Sequence, residues 1–156
     1  EEQAGTTVRL YLPLSDTGID GSPVPPTVKA EHKRGREKVL VDEDQPDLRE
    51  TAVELVSSLG YEVVSVGSGE EALVLAESGE PFDLLFTDVV MPGELDGVEL
   101  AERLRGMHPG LPVVFTSGYA QRSILDGDDR SRQSLIMKPY GVDALAGKLR
   151  QVIDEE

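Results

Sequence analysis

Short apolar runs alternate with amphipathic stretches along the chain from Val39 onward. Continuous apolar runs are typical of strands that are buried on both faces of a parallel sheet. Between them, apolar residues recur at three- and four-residue spacing, which predicts helices with one inward face. The predicted strands contain the segments VLV, YEVVSV, FDLLFTD, PVVFTS and SLIM. The pattern therefore predicts an α/β fold with a parallel sheet between two layers of helices.

Local signals mark where the predicted helices begin and end. Pro46 suits the first turn of a helix, and Gly60 ends that helix. Ser68 and Glu71 have the spacing of a capping box at the start of the next helix. After the fourth strand, the stretch AQRSILDGDDRSRQS should hold a helix that Gly127 and its Asp neighbours interrupt.

The amino-terminal part has a different texture. Residues 1–14 contain one stretch of alternating apolar and polar residues, which predicts a single strand. Residues 15–37 are rich in Gly, Ser and Pro and end in a basic run without periodicity, which predicts a flexible linker. Residues 38–156 are expected to form the folded domain.

Composition excludes several classes of function. The formal net charge of −15 over 156 residues argues against nucleic-acid binding, which needs clustered Lys and Arg. The chain has no cysteine, so disulfide and thiol chemistry are excluded. Its apolar runs are shorter than a membrane span, and no secretory segment opens it. We therefore expect a cytoplasmic protein, with no membrane contact by this part of the chain.

Polar residues stand where four of the predicted strands end. Glu43 and Asp44 follow the first strand, Asp88 ends the third, Ser117 the fourth, and Lys138 follows the fifth. The carboxyl ends of parallel strands meet at one edge of a sheet. Crowded carboxylates repel one another unless a cation neutralises them, and hard oxygen ligands suit Mg²⁺. This predicts Mg²⁺ as the cofactor, with Asp88 as a nucleophile that forms an aspartyl phosphate, while Lys138 and Ser117 bind the phosphoryl oxygens.

These residues and their surroundings resemble the receiver domain of two-component response regulators. The motifs that carry the resemblance are VLVDEDQPDLR, DVVMPG, PVVFTS and MKPY. It implies a flavodoxin-like, doubly wound five-stranded sheet of order 2-1-3-4-5, with a cis peptide before Pro139. It also implies that Glu43 and Asp44 form an acidic metal pair and that Asp88 is phosphorylated. The backbone carbonyl of Val90 would bind the metal as well. Asp42 occupies a position that is usually apolar in the family, so we interpret it as a neighbour of the ligands.

A second resemblance concerns the start of the chain. GTTVRLYLP is similar to the closing strand of the ATP-binding domain of sensor histidine kinases, and a kinase tail, linker and receiver follow one another in hybrid histidine kinases. The resemblance implies that residues 1–14 are a remnant of that domain and that the fragment is a phosphoacceptor, not itself a kinase. Its expected partner is a histidine kinase phosphoacceptor domain or a histidine phosphotransfer protein.

Alternatives remain at this point. A receiver-like module could act by protein contact without phosphorylation, although none of the five polar residues is missing. A phosphohydrolase with an aspartyl phosphate would typically carry a second acid at the position of Val90. Leu135 stands where receivers often have Tyr or Phe, so we expect a monomer that relays phosphate or restrains its own kinase.

Overall fold

Strands and helices alternate along the part of the chain that the structure describes. The structure is a computed structural model, and it describes residues 35–93, 95–118 and 134–155. Its strands are β1 (Lys38–Asp42), β2 (Glu62–Val66), β3 (Leu84–Asp88), β4 (Val113–Ser117) and β5 (Leu135–Met137). Its helices are α1 (Pro46–Ser58), α2 (Gly69–Glu77), α3 (Gly97–Met107) and α4 (Val142–Asp154). The described residues include no helix long and apolar enough to cross a membrane.

The five strands form one parallel sheet of order β2-β1-β3-β4-β5. The predicted fold class and strand order are confirmed. Strand β1 pairs with β2 on one side and with β3 on the other, so the order of the strands reverses direction at β1. The loops after β1 and β3 therefore run to opposite faces of the sheet and leave a crevice between them, which is where α/β sheets usually bind ligands.

The sheet separates two apolar cores. Leu40, Leu85 and Phe115 pack with α2 and α3 on one face. Val41 and Phe86 pack with α1 and α4 on the other. Neighbouring strand residues point to opposite faces, so a strand buried on both sides must be apolar at nearly every position. This arrangement explains the continuous apolar runs of the sequence and fixes the strand ends relative to one another.

The helix ends follow the sequence signals with one difference. Helix α1 begins at Pro46, and Gly60 just beyond it has a φ of 96°, a conformation that glycine adopts without strain. The Ser68 hydroxyl accepts a hydrogen bond from Glu71 N at 3.2 Å, as a capping box requires. The Glu71 carboxylate, however, accepts from Gly67 N at 2.9 Å, one residue before the predicted partner.

Several expectations lie outside the described residues. They are the strand in residues 1–14, the linker up to residue 34 and the interrupted helix after β4, and all three stay predictions. The last linker residues are described and contact the domain. Gly35 N donates to Leu59 O at 3.2 Å, and the Glu37 carboxylate lies 2.6 Å from a guanidinium nitrogen of Arg150.

Gly97 lets the first turn of α3 approach the end of β3. A Cβ atom added there would lie 1.9 Å from the carbonyl oxygen of Asp88, a backbone atom that cannot move aside easily. We expect Gly97→Ala to lower the free energy of unfolding by about 1–3 kcal/mol in urea denaturation. The matched control is Gly147→Ala in α4, where the added Cβ meets no atom within 4 Å. The control should be neutral or stabilising by up to about 1 kcal/mol, and equal losses in both variants would contradict the packing argument.

Candidate functional site

The carboxyl ends of β1, β3 and β5 bring three charged side chains together. The Lys138 ammonium lies 2.5 Å from Glu43 Oε2 and 2.7 Å from Asp88 Oδ2. Glu43 and Asp88 are both buried, at 4% and 8% exposure. Desolvation opposes the charge on Lys138, but its hydrogen bonds to Asp88 and Glu43 together outweigh that effect and raise its pKa. One ammonium therefore bridges two carboxylates in the crevice, and its single charge offsets only one of their two negative charges.

Backbone contacts hold Lys138 and Asp88 in place. Lys138 N donates to Ser117 O at 2.8 Å, which aligns the segment after β5 with the end of β4. The peptide between Lys138 and Pro139 is cis, as the family resemblance implied. The second carboxylate oxygen of Asp88, Oδ1, accepts from Val90 N at 3.3 Å. Both oxygens of Asp88 thus have a donor, and the carboxylate has a fixed orientation.

Ser117 lies at the adjacent end of β4, as predicted, and is fully buried. Its hydroxyl donates to Gly118 O at 3.0 Å. The neighbouring Thr116 is the register partner of Asp88. The Thr116 hydroxyl is buried and, among the described residues, has no hydrogen-bond partner. Two hydroxyl side chains therefore end the strand beside Asp88.

Asp44 is half-buried and follows Glu43 directly in the loop after β1. No group of three or more acidic, histidine or cysteine side chains in the described ranges is placed to hold a metal ion. The donors nevertheless fit a hard cation, because Glu43 and Asp88 already share one positive charge and Glu43 Oε1 is buried without a partner among the described residues. Glu43, Asp44, Asp88 and the Val90 carbonyl stay the predicted ligands.

A cavity of about 350 Å³ adjoins this cluster between α1 and the segment after β5. Leu48, Leu55, Pro139 and Tyr140 line it together with the charged pair of Glu43 and Lys138. Burial raises the pKa of Tyr140 to about 12, so its phenol stays neutral. The cavity is thus lined mainly by apolar side chains, with Glu43 and Lys138 in the same lining.

Comparison with known proteins places these features in a family. The sequence matches the family model of the response regulator receiver domain over residues 39–150. The chain belongs to the response regulator receiver domain family. The matched range contains Glu43, Asp88, Ser117 and Lys138 at the strand ends described above.

This chain spans most of one relative but only a small part of two others. The response regulator receiver protein CpdR of Brucella abortus is 32% identical, over 74% of this chain and 96% of that protein. The sensor kinase CckA of the same species is 33% identical over 97% of this chain, which spans only 17% of the kinase. The sensor protein TorS of Escherichia coli is 28% identical over 87% of this chain, which spans 14% of TorS.

Solved structures support the receiver fold. A response regulator receiver protein from Sinorhizobium medicae superposes with a TM-score of 0.68 over 78% of this chain and 98% of its own, at 24% identity. NtrX from Brucella abortus superposes with a TM-score of 0.69 over 78% of this chain and 27% of its own, at 27% identity.

Asp42 is a buried acid of this receiver that faces away from Lys138. It lies on the face of α2 and α3, is 1% exposed, and accepts a hydrogen bond from Thr87 Oγ1 at 3.2 Å. Desolvation raises its pKa to about 7, and Glu43 adds to the shift by repulsion. The sequence pattern identified Asp42 as a neighbour of the ligands but gave no sign of Thr87, because cross-strand partners depend on register.

We expect Asp42→Val to stabilise the receiver in metal-free buffer, and by more at pH 8 than at pH 5. The folded-state pKa of about 7 exceeds the unfolded value near 4, so folding takes up a proton between these values and wild-type stability falls as pH rises through that window. Valine removes this penalty, which is at most about 4 kcal/mol.

Urea denaturation across pH tests this prediction. The matched control, Glu62→Val on the exposed part of β2, should change the free energy of unfolding by less than about 0.5 kcal/mol. A difference between Asp42→Val and wild type that does not vary with pH would show that the buried carboxylate is not the cause.

Proposed function

We propose that this receiver takes a phosphoryl group from a phosphohistidine onto Asp88 in a Mg²⁺-dependent reaction. The observation that carries the proposal is the ionic cluster, in which a buried Asp88 carboxylate is oriented by Val90 N and by an ammonium 2.7 Å away. An oriented carboxylate beside fixed positive charge suits attack on an electron-rich phosphoryl group, since such transfer depends on positioning and charge stabilisation.

The transfer makes one bond and breaks one. A carboxylate oxygen of Asp88 attacks the phosphorus, the P–N bond of the phosphohistidine breaks, and its electrons stay on the imidazole nitrogen. Lys138, freed from part of its contact with Asp88, binds a phosphoryl oxygen, and Ser117 donates a hydrogen bond to another. Glu43, Asp44, Asp88 and the Val90 carbonyl would hold Mg²⁺, whose charge offsets that of the acids and the phosphoryl group.

The cavity beside the cluster suits the donor. Its apolar wall of Leu48, Leu55 and Pro139 can bury a partner surface, and Lys138 belongs to the same lining. Leu48 is 40% exposed, so α1 presents an apolar residue to solvent near the site. A histidine kinase phosphoacceptor domain or a histidine phosphotransfer protein is the partner we infer.

The wider context we infer is a hybrid histidine kinase, with residues 1–14 as the end of its ATP-binding domain and residues 15–37 as a linker. The similarity to CckA supports this inference because it extends over 97% of the chain and so beyond the receiver itself. We infer that the receiver acts in the cytoplasm. We also infer that it is a monomer, since Leu135 stands where receivers often have an aromatic switch residue. Relay of the phosphoryl group and restraint of the parent kinase are both compatible with this arrangement.

Modification by a small phosphodonor tests the chemistry. With acetyl phosphate and Mg²⁺, the wild-type chain should gain one phosphoryl group by intact mass, and chelation of Mg²⁺ with EDTA should prevent it. Asp88→Asn should abolish the gain, because an amide is not a nucleophile here. The control is Asp83→Asn, a carboxyl at the opposite, amino-terminal edge of β3, which should leave modification intact. Full modification of Asp88→Asn would contradict the assignment of Asp88 as the phosphoacceptor. A wild-type chain that gains no phosphoryl group would favour a module that acts by protein contact alone.

A further inference from the structure

Arg49 reaches back from the first turns of α1 to the loop that precedes the helix. Its Nη1 atom donates a hydrogen bond to the backbone carbonyl oxygen of Glu43 at 2.7 Å. The short distance and the charge of the donor make this one of the stronger kinds of hydrogen bond. The acceptor belongs to the peptide that joins Glu43 to Asp44, so the contact acts on the backbone between the two acids.

Gly67 makes room for this guanidinium. A Cβ atom added at Gly67 would lie 2.8 Å from Arg49 Nη1, closer than the two atoms can approach. Gly67 itself is fixed, because its N donates to the Glu71 carboxylate at 2.9 Å. Glu43 N in turn donates to Val66 O at 3.4 Å, which joins the loops after β1 and β2. The guanidinium therefore fills the space between two loops at the functional edge of the sheet.

We propose that Arg49 is a positioning residue for the acidic pair and that the absence of a side chain at Gly67 leaves room for the observed place of the Arg49 guanidinium. By holding the Glu43 carbonyl, Arg49 fixes the plane of the peptide between Glu43 and Asp44. That plane sets the directions in which the two side chains leave the backbone, and thus whether both can face one cation. This inference rests on the proposed function, since it assigns the acidic pair to Mg²⁺.

A positioning role and a purely electrostatic role of Arg49 predict opposite changes in Mg²⁺ affinity when the arginine is removed. A positive charge near an acidic site repels Mg²⁺, so its removal should strengthen Mg²⁺ binding. Loss of a positioning contact should weaken it, because groups that orient metal ligands contribute about tenfold or more to metal affinity. The direction of the change in Arg49→Gln therefore separates the two roles.

The experiment is a calorimetric titration of Mg²⁺ into the full chain, combined with the Mg²⁺ dependence of acetyl phosphate modification. We expect Arg49→Gln to raise the Mg²⁺ dissociation constant about tenfold, with the maximal modification rate at saturating Mg²⁺ nearly unchanged. Arg49→Lys keeps a charged donor and should recover part of the affinity. The matched control is Arg103→Gln, which removes an exposed arginine from α3 and should leave Mg²⁺ affinity unchanged.

Gly67→Ala tests the same contact without removing a charge. Its Cβ should push the guanidinium off the Glu43 carbonyl and weaken Mg²⁺ binding in the same direction. Combined with Arg49→Gln, it should add no further loss, because both changes remove one interaction. Gly106→Ala in α3 is its control, since a Cβ there meets no atom within 4 Å. Urea denaturation of each variant verifies that it is folded under the assay conditions.

Several results would overturn the inference. One is an unchanged or lower Mg²⁺ dissociation constant in Arg49→Gln. Another is a decrease in the maximal modification rate without a change in Mg²⁺ affinity. The third is full additivity of the affinity losses caused by Arg49→Gln and Gly67→Ala. Failure of the proposed function gives a different pattern, in which wild type binds Mg²⁺ but is not modified. In that case the calorimetric comparison still tests Arg49. A wild-type chain that binds no Mg²⁺ would overturn both.

Discussion

The ammonium of Lys138 between Glu43 and Asp88 is the interaction on which the site depends. It connects the ends of β1, β3 and β5, of which β1 and β5 are not neighbours in the sheet. Two buried carboxylates would repel each other without it, and removal of one partner from a buried ionic group leaves an uncompensated charge that costs several kcal/mol, about 3–5 in measured cases. In the proposed reaction, the same positive charge would offset part of the charge of the incoming phosphoryl group.

Around this cluster, contacts to the backbone fix the positions of the Glu43 and Asp88 carboxylates. Gly97 lets α3 begin against the Asp88 carbonyl, while Arg49 holds the Glu43 carbonyl from the other face of the sheet. Thr87 Oγ1 lies within hydrogen-bond distance of both Asp42 Oδ2 and the Asp88 carbonyl, at 3.2 and 3.1 Å. Contacts from neighbouring elements thus fix the backbone carbonyl groups of Glu43 and Asp88. The last residues of β1 and β3, which carry the site, are buried.

The sequence pattern was sufficient to predict a parallel sheet and the meeting of Glu43, Asp88 and Lys138, because continuous apolar runs mark parallel strands whose carboxyl ends share an edge. The strand order came from the resemblance to receiver domains, since an apolar pattern does not show which strands are neighbours. The sequence was not sufficient for the contacts of Thr87 and Arg49, which depend on strand register and on the path of a long side chain. Leu48 fits the apolar spacing of α1 but is 40% exposed, because it lies at the rim of the cavity beside the site. Hydrophobic periodicity predicts which face of a helix points inward. It does not predict which residues of that face lie beyond the edge of the core.

We propose that the Lys138 ammonium and Mg²⁺ both offset the charge of the same two carboxylates, Glu43 and Asp88. The direct measurement is the Mg²⁺ dissociation constant of Lys138→Met by calorimetry, beside wild type and the surface control Lys148→Met. Since the ammonium and the metal neutralise the same carboxylates, Lys138→Met should bind Mg²⁺ more tightly than wild type, and Lys148→Met should match wild type. Weaker or unchanged Mg²⁺ binding by Lys138→Met would contradict the claim.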